Sequence, residues 1–278
     1  MIQPFRIVAF LLVLVGVVSP AAAQRAPDMA TLDRGDGISK LGIDVGMSFL
    51  EFPVYESALR LELHGQYVTR SGFGIYGMVP MASSFGAADD VEDPDPPDLL
   101  PNNDTAVGNL EVGALYVVTK SRRFSMVFRG GIALPTASSG RDASATLYSA
   151  TWPRLTDVAL ASDAWYVRLS ASPLIYFDKV FFRADIGLDI GFEDNGRDND
   201  EYLRLNAGVG VDFGIVAPSL ELVNLVNFDR DGDSSTHSLA VTFRFMGEAL
   251  QPFLTVGAPI DSGDNVDLFL AGGIQFVP

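Results

Sequence analysis

The chain has 278 residues, a formal charge of −16 and no cysteine. The missing thiols exclude a disulfide framework and thiol chemistry. The acidic balance disfavours nucleic acid and anionic membrane surfaces as partners, because a phosphate backbone would be repelled. Hydrophobic residues make up 48% and mean hydropathy is +0.23, yet there is no long apolar run beyond the N-terminus. Apolar character spread so thinly suits a β-barrel in lipid, where only every second residue meets acyl chains.

Residues 1–23 have the layout of an export signal. Arg6 precedes the apolar run Ala9–Val18, Pro20 breaks it, and Ala21-Ala22-Ala23 offers small residues to a signal peptidase. The run is roughly 12 residues, short of the ~20 a membrane helix needs, so cleavage after Ala23 is expected over an uncleaved anchor. That leaves about 255 residues, enough for one large β domain or two small ones. Residues 24–39 read as a periplasmic linker or small plug, and 40–278 as the barrel.

Alternation with period 2 dominates residues 40–278, and that is the strand signature. Leu41, Ile43, Val45, Met47 and Phe49 alternate with Gly42, Asp44, Gly46 and Ser48. Leu59, Leu61 and Leu63 alternate with Arg60, Glu62 and His64. In 180–192, Phe182, Ala184, Ile186, Leu188 and Ile190 face away from Arg183, Asp185, Asp189 and two glycines. The same pattern recurs in 123–134, 203–213 and 239–245, and more weakly in 73–82, 106–119, 164–177, 218–228, 250–260 and 265–277. The expected fold is therefore all-β: a transmembrane, antiparallel, up-and-down barrel of about 12 strands.

Connection lengths agree. Short turns are expected at 70–72, 120–122, 177–179, near Val216-Ala217 and at 247–249. The opposite ends carry 51–57, 83–104, 136–163, 193–201, 229–235 and 261–264. Short periplasmic turns and long extracellular loops are the habit of outer-membrane barrels. Met78-Val79-Pro80, Ala133-Leu134-Pro135 and Gly257-Ala258-Pro259 form a loose repeat at the upper ends of strands. Proline cannot donate to a ladder, so it is expected where pairing ends. The last segment, with Phe276 near the end, resembles the C-terminal strand read by barrel-assembly machinery, although Pro278 stands where an aromatic is usual.

The segment Asn103–Tyr116 (NDTAVGNLEVGALY), followed by Gly131–Thr136 (GIALPT), resembles the outer-membrane transporters associated with phenol-degradation (MetA) pathways. That resemblance covers two strands. It implies passive uptake of small compounds, hydrophobic ones included, and carries over no binding residues.

The alternation sends a set of charges into the lumen. These are Arg60, Glu62, Glu111, Arg129, Arg168, Arg183, Asp185, Asp189, Arg204 and Arg244, together with Asp44, Asp212, Glu221 and Asp267. Arg168, Asp189 and Arg204 fall at one height on successive strands and are expected to cluster. Two readings stand side by side: a selectivity constriction whose arginines attract anions, or a narrow interior filled by mutually satisfied ion pairs. Twelve strands lies between barrels that side chains fill and wide aqueous porins.

The loops 89–98 and 193–201 are strongly acidic and read as a solvated mouth or loose cation sites. Asp229–Ser234 resembles the start of a calcium loop but lacks its twelfth-position glutamate, with Ala240 there instead. The segment 141–162 does not alternate and reads as a lid or a mobile loop. Only His64 and His237 could serve a hydrolase, and neither has a nucleophile motif beside it. No catalytic residue, metal site or cofactor is expected. The function expected is an outer-membrane channel or facilitator for small solutes, seated in outer-membrane lipid. The alternative is a closed structural or adhesion barrel acting through its loops.

Overall fold

The structure, a computed structural model, describes residues 27–50, 55–86, 103–121, 123–192, 201–228, 234–260 and 266–278. The expected export signal, the acidic runs 89–98 and 193–200, and the calcium-like residues 229–233 lie outside these.

Thirteen strand segments form one antiparallel sheet: β1 Lys40–Leu50, β2 Ser57–Val68, β3 Phe73–Phe85, β4 Thr105–Val107, β5 Leu110–Ser121, β6 Phe124–Leu134, β7 Trp165–Phe177, β8 Val180–Phe192, β9 Glu201–Val211, β10 Val216–Asn227, β11 Ser234–Phe245, β12 Leu250–Pro259 and β13 Val266–Phe276. Because β4 and β5 both lie against β3, the wall has twelve positions. The sheet closes on itself through β1 and β13, in register from Leu41 opposite Phe276 to Leu50 opposite Val266.

Burial along each strand is inverted relative to a soluble protein. On β1, Leu41, Ile43 and Val45 are exposed while Lys40 and Asp44 are buried. On β8, Phe182 and Ile186 are exposed while Arg183, Asp185 and Asp189 are buried. Apolar side chains outside and charges inside are stable only if the exterior solvent is lipid. Among the described residues no helix is long and apolar enough to cross a membrane, whereas the full-length wall strands of 10–13 residues match what a tilted crossing needs.

The short rim is built from tight connections. Gly72 at φ 86 and Gly214 at φ 84 supply backbone that other residues rarely adopt, and Asp178 at φ 58 does the same in the two-residue link between β7 and β8. The turn expected near Val216-Ala217 sits earlier, at 212–215, where Gly214 N–H donates to the Asp212 carboxylate at 2.7 Å. Asp212 is thus a half-buried turn residue and not a lumen charge.

Asp267 is also displaced. The register slips between Phe49 and Leu50, opposite Leu268 and Val266, so Val266 turns inward and Asp267 is exposed. Pro135 and Pro259 end or follow their strands, but Pro80 lies inside β3, which runs on to Phe85. Its missing N–H falls where the neighbouring wall breaks between β4 and β5, and there Gly108 N–H donates to the Pro80 carbonyl at 2.8 Å.

Candidate functional site: the filled lumen

Two segments enter the barrel. Residues 27–39 form no strand and lie within it, with Asp28, Met29, Leu32, Asp33 and Arg34 all buried. The stretch 137–164 folds inward from the long-loop rim as helix α1 (Arg141–Ser149) and a 3₁₀ segment, Trp152–Leu160. Its root is fixed by Asn109, which donates to Ala164 O at 2.9 Å and accepts from the backbone of Thr136 and Ala137. Gly108 permits this docking, because a Cβ there would stand 2.5 Å from the Leu160 carbonyl. The stretch expected to be a lid or mobile loop is therefore an internal filling.

Of the fourteen side chains singled out as lumen charges, all but Asp212 and Asp267 are buried. Asp189 bridges Arg168 (3.2 Å) and Arg204 (2.8 Å), and the register sets Arg168 directly opposite Asp189. Arg168 also holds Glu111, and Arg60 holds Glu62. Arg183 contacts Asp185 at 3.2 Å. Arg244 donates through Nε to the Asp28 carbonyl at 2.8 Å and lies 4.7 Å from the Phe253 ring centre. Arg129 sits 3.8 Å above the Tyr76 ring.

The entering segments supply charges that the strand pattern did not reveal. Arg34 reaches Asp44 at 2.6 Å and also Glu62. Asp28 takes Lys40 at 2.7 Å and Arg183 at 3.1 Å. Asp33 accepts from Arg204, and Thr31 donates N–H and hydroxyl to Glu221 at 2.8 and 2.7 Å. From the 3₁₀ segment, Asp157 joins Arg60 (3.1 Å) to Arg154 (2.7 Å), while Arg154 donates to the carbonyls of Ala30 and Leu32. The two insertions thus hold each other.

Burial alone would raise the Asp28 carboxyl, but Lys40, Arg244, Arg183 and Arg34 outweigh it and hold the group well below the ordinary carboxylate range. Asp33 is lowered likewise, burial being overcome by Arg204, Arg168 and Arg129. For Asp157, burial and Glu62 push upward, yet Arg154 with Arg168 and Arg60 brings it to about 2. These carboxylates are ionised at neutral pH, as the pairing requires.

Two small cavities lie among the described residues of the filled lumen. A cavity of about 10 Å³ lies among Asp33, Tyr76, Glu111, Arg129, Arg168 and Arg204, and another of similar size beside Pro153 and Arg154. Each has room for about one water molecule. Among the described residues there is no group of His, Asp and Glu poised to hold a metal ion. His64 is buried 3.4 Å from Asp44, and His237 contacts Asn224 at 2.7 Å.

No protein family and no curated protein sequence matches the chain. Among solved structures, an outer membrane channel from Pseudomonas putida F1 aligns with TM-score 0.60 at 16% identity, over 94% of this chain and 100% of that one. The β domain of the Bordetella autotransporter BrkA (TM-score 0.49, 13% identity, 87% and 100% covered) and LpxR from Salmonella typhimurium (0.48, 9%, 86% and 100%) are more distant. The fold is that of a closed twelve-strand outer-membrane β-barrel.

Proposed function

We propose that the chain is an outer-membrane channel or facilitator for passive uptake of small solutes, closed in this state by residues 27–39 and the inserted 3₁₀ segment and opened when they move. What supports this is how the filling is held. Among the described residues, 27–39 makes no backbone-to-backbone hydrogen bond to the wall. Beside an apolar cluster in which Met29 and Leu32 meet Leu174, Tyr176 and Phe181, its polar contacts to the wall run through side-chain ion pairs and hydrogen bonds, and the wall behind it carries many charges. Such a wall stays wettable when the filling leaves, whereas an apolar core would not. For stability alone, buried ion pairs are a weak choice compared with hydrophobic packing. The resemblance to phenol-pathway transporters supports small organic cargo, and the C-terminal strand with Phe276 supports insertion by barrel-assembly machinery.

A second reading is favoured by the near-complete filling: a closed structural or adhesion barrel acting through its loops. Planar-bilayer recording of the refolded chain from Gln24 onward separates them. Discrete current steps, more frequent in Asp28→Asn/Asp33→Asn, support the channel. Silence from folded wild type and variant alike supports the closed barrel.

A further inference from the structure

Of the inward wall arginines, Arg129 and Arg244 make no ion pair among the described residues, and of these two Arg129 lines a cavity. It is 8% exposed and rests on the Tyr76 ring. Among the described residues it makes no ion pair, and its buried Nε has no hydrogen-bond acceptor. The Tyr76 hydroxyl is already engaged, donating to Glu111 at 2.6 Å. A guanidinium desolvated without an acceptor is costly unless something else brings the counter-charge.

That something has a place to sit. The small cavity beside Arg129 is bounded also by Arg168, Arg204, Glu111 and Asp33. The wall supplies two carboxylates for these three guanidinium groups: Glu111 on Arg168, and Asp189 shared by Arg168 and Arg204. Asp157 lies 3.5 Å from Arg168 but is already shared by Arg60 and Arg154. The wall is thus one negative charge short, and the missing charge is delivered by Asp33. Its carboxylate meets Arg204 Nη1 through both oxygens, one at 2.6 Å. Asp33 is carried on a segment that forms no strand. In chemical terms it is a carboxylate on a tether, seated among planar donors suited to that group.

We propose that the place the Asp33 carboxylate takes beside Arg129, Arg168 and Arg204, enlarged by the adjoining cavity, is a binding site for a small carboxylate anion, with Asp33 as its resident stand-in. A free carboxylate competes with Asp33, takes Arg129 and Arg204 as donors, and loosens the N-terminal segment by removing one of its anchors. The use of this site in transport rests on the channel reading; binding itself does not.

Fluorescence tests it without any current. The chain has two tryptophans, and Trp152 packs against the cluster containing Met29 and Leu32. In Trp165→Phe, Trp152 therefore reports the N-terminal segment. The full refolded chain would be titrated with sodium acetate, with sodium chloride at equal ionic strength and with uncharged acetamide, folding being checked by heat-modifiable gel mobility. A saturable change with acetate alone is expected. It should be lost in Arg129→Gln, whose fold should survive because Arg129 makes no ion pair. It should appear at roughly tenfold lower acetate in Asp33→Asn, where the tethered competitor is gone. No response to acetate, an equal response to chloride or acetamide, or a response that persists in folded Arg129→Gln would overturn the proposal. An unchanged midpoint in Asp33→Asn would overturn the stand-in role. Binding without single-channel current would sink the channel reading and leave the site standing.

Discussion

Arg60 and Asp157 stand 97 positions apart in sequence and 3.1 Å apart in the lumen. One belongs to β2, the other to the 3₁₀ segment, and this contact ties wall to filling. Asp157 also receives Arg154, which in turn holds the backbone of the N-terminal segment. Both insertions therefore share one carboxylate.

Removing that carboxylate should loosen both. Asp157→Asn leaves three buried guanidinium groups, Arg60, Arg154 and Arg168, undercompensated, and breaking a buried pair from one side costs about 3 kcal/mol. The expected result is a lower urea midpoint for the Trp152 fluorescence transition in the Trp165→Phe background, with a smaller change in barrel unfolding by gel mobility. Coincident, unshifted transitions would refute the shared anchor.

The same anchors set a pH dependence. Asp28, Asp33 and Asp157 titrate lower in the closed state than a free aspartate at about 3.9. A depressed carboxylate contributes stability that is complete above its free value and is lost as pH falls through its held value. The contribution of these three carboxylates should thus hold from neutrality down to about pH 4 and fade progressively below that, the Asp157 part as pH approaches about 2. Trp152 fluorescence against pH, compared between Asp157→Asn and its parent, is the measurement; a difference that vanishes between about pH 5 and 7 would contradict the assignment.

The lipid face makes an independent prediction. Ile186 lies at the middle of β8 and is 56% exposed. Ile186→Arg should destabilise the barrel by about 2–4 kcal/mol in vesicles, as arginine does at a bilayer midplane. Equilibrium unfolding in vesicles reads this, and a neutral result would place residue 186 away from acyl chains.

Glycines on the wall make room for aromatic rings lying flat against it. A Cβ on Gly210 would meet Phe181 Cζ at 2.2 Å, and one on Gly257 would meet Phe269 Cζ at 2.3 Å, whereas on Gly130 the nearest atom is Leu169 Cδ2 at 3.4 Å. Gly210→Ala should cost about 1–3 kcal/mol through overpacking. Gly130→Ala should be close to neutral in the same unfolding experiment.

The wall was legible in the sequence because lipid outside and charge inside impose a strict two-residue period, as in 180–192. Even the Arg168–Asp189–Arg204 cluster came from counting along strands. What was not legible came from segments without a period. Asp28, Asp33, Arg34, Arg154 and Asp157 give no local sign of where they dock, since their partners lie on strands far along the chain. Asp267 was misplaced because a single slipped register reverses every side chain beyond it, and no residue type marks that slip.

The segment inside the barrel precedes β1, and the seam joins β1 to β13. Its ligands come from β1, β2, β8, β9, β10, β11 and β13, so no partial sheet presents them all at one radius. Only when the last strand zips to the first are the wall and the plug's seat both complete. Assembly is thereby made to depend on contacts of very high sequence separation, which form late and slowly. A chain whose tether missed the lumen would close around water, with its guanidinium groups facing an empty conduit.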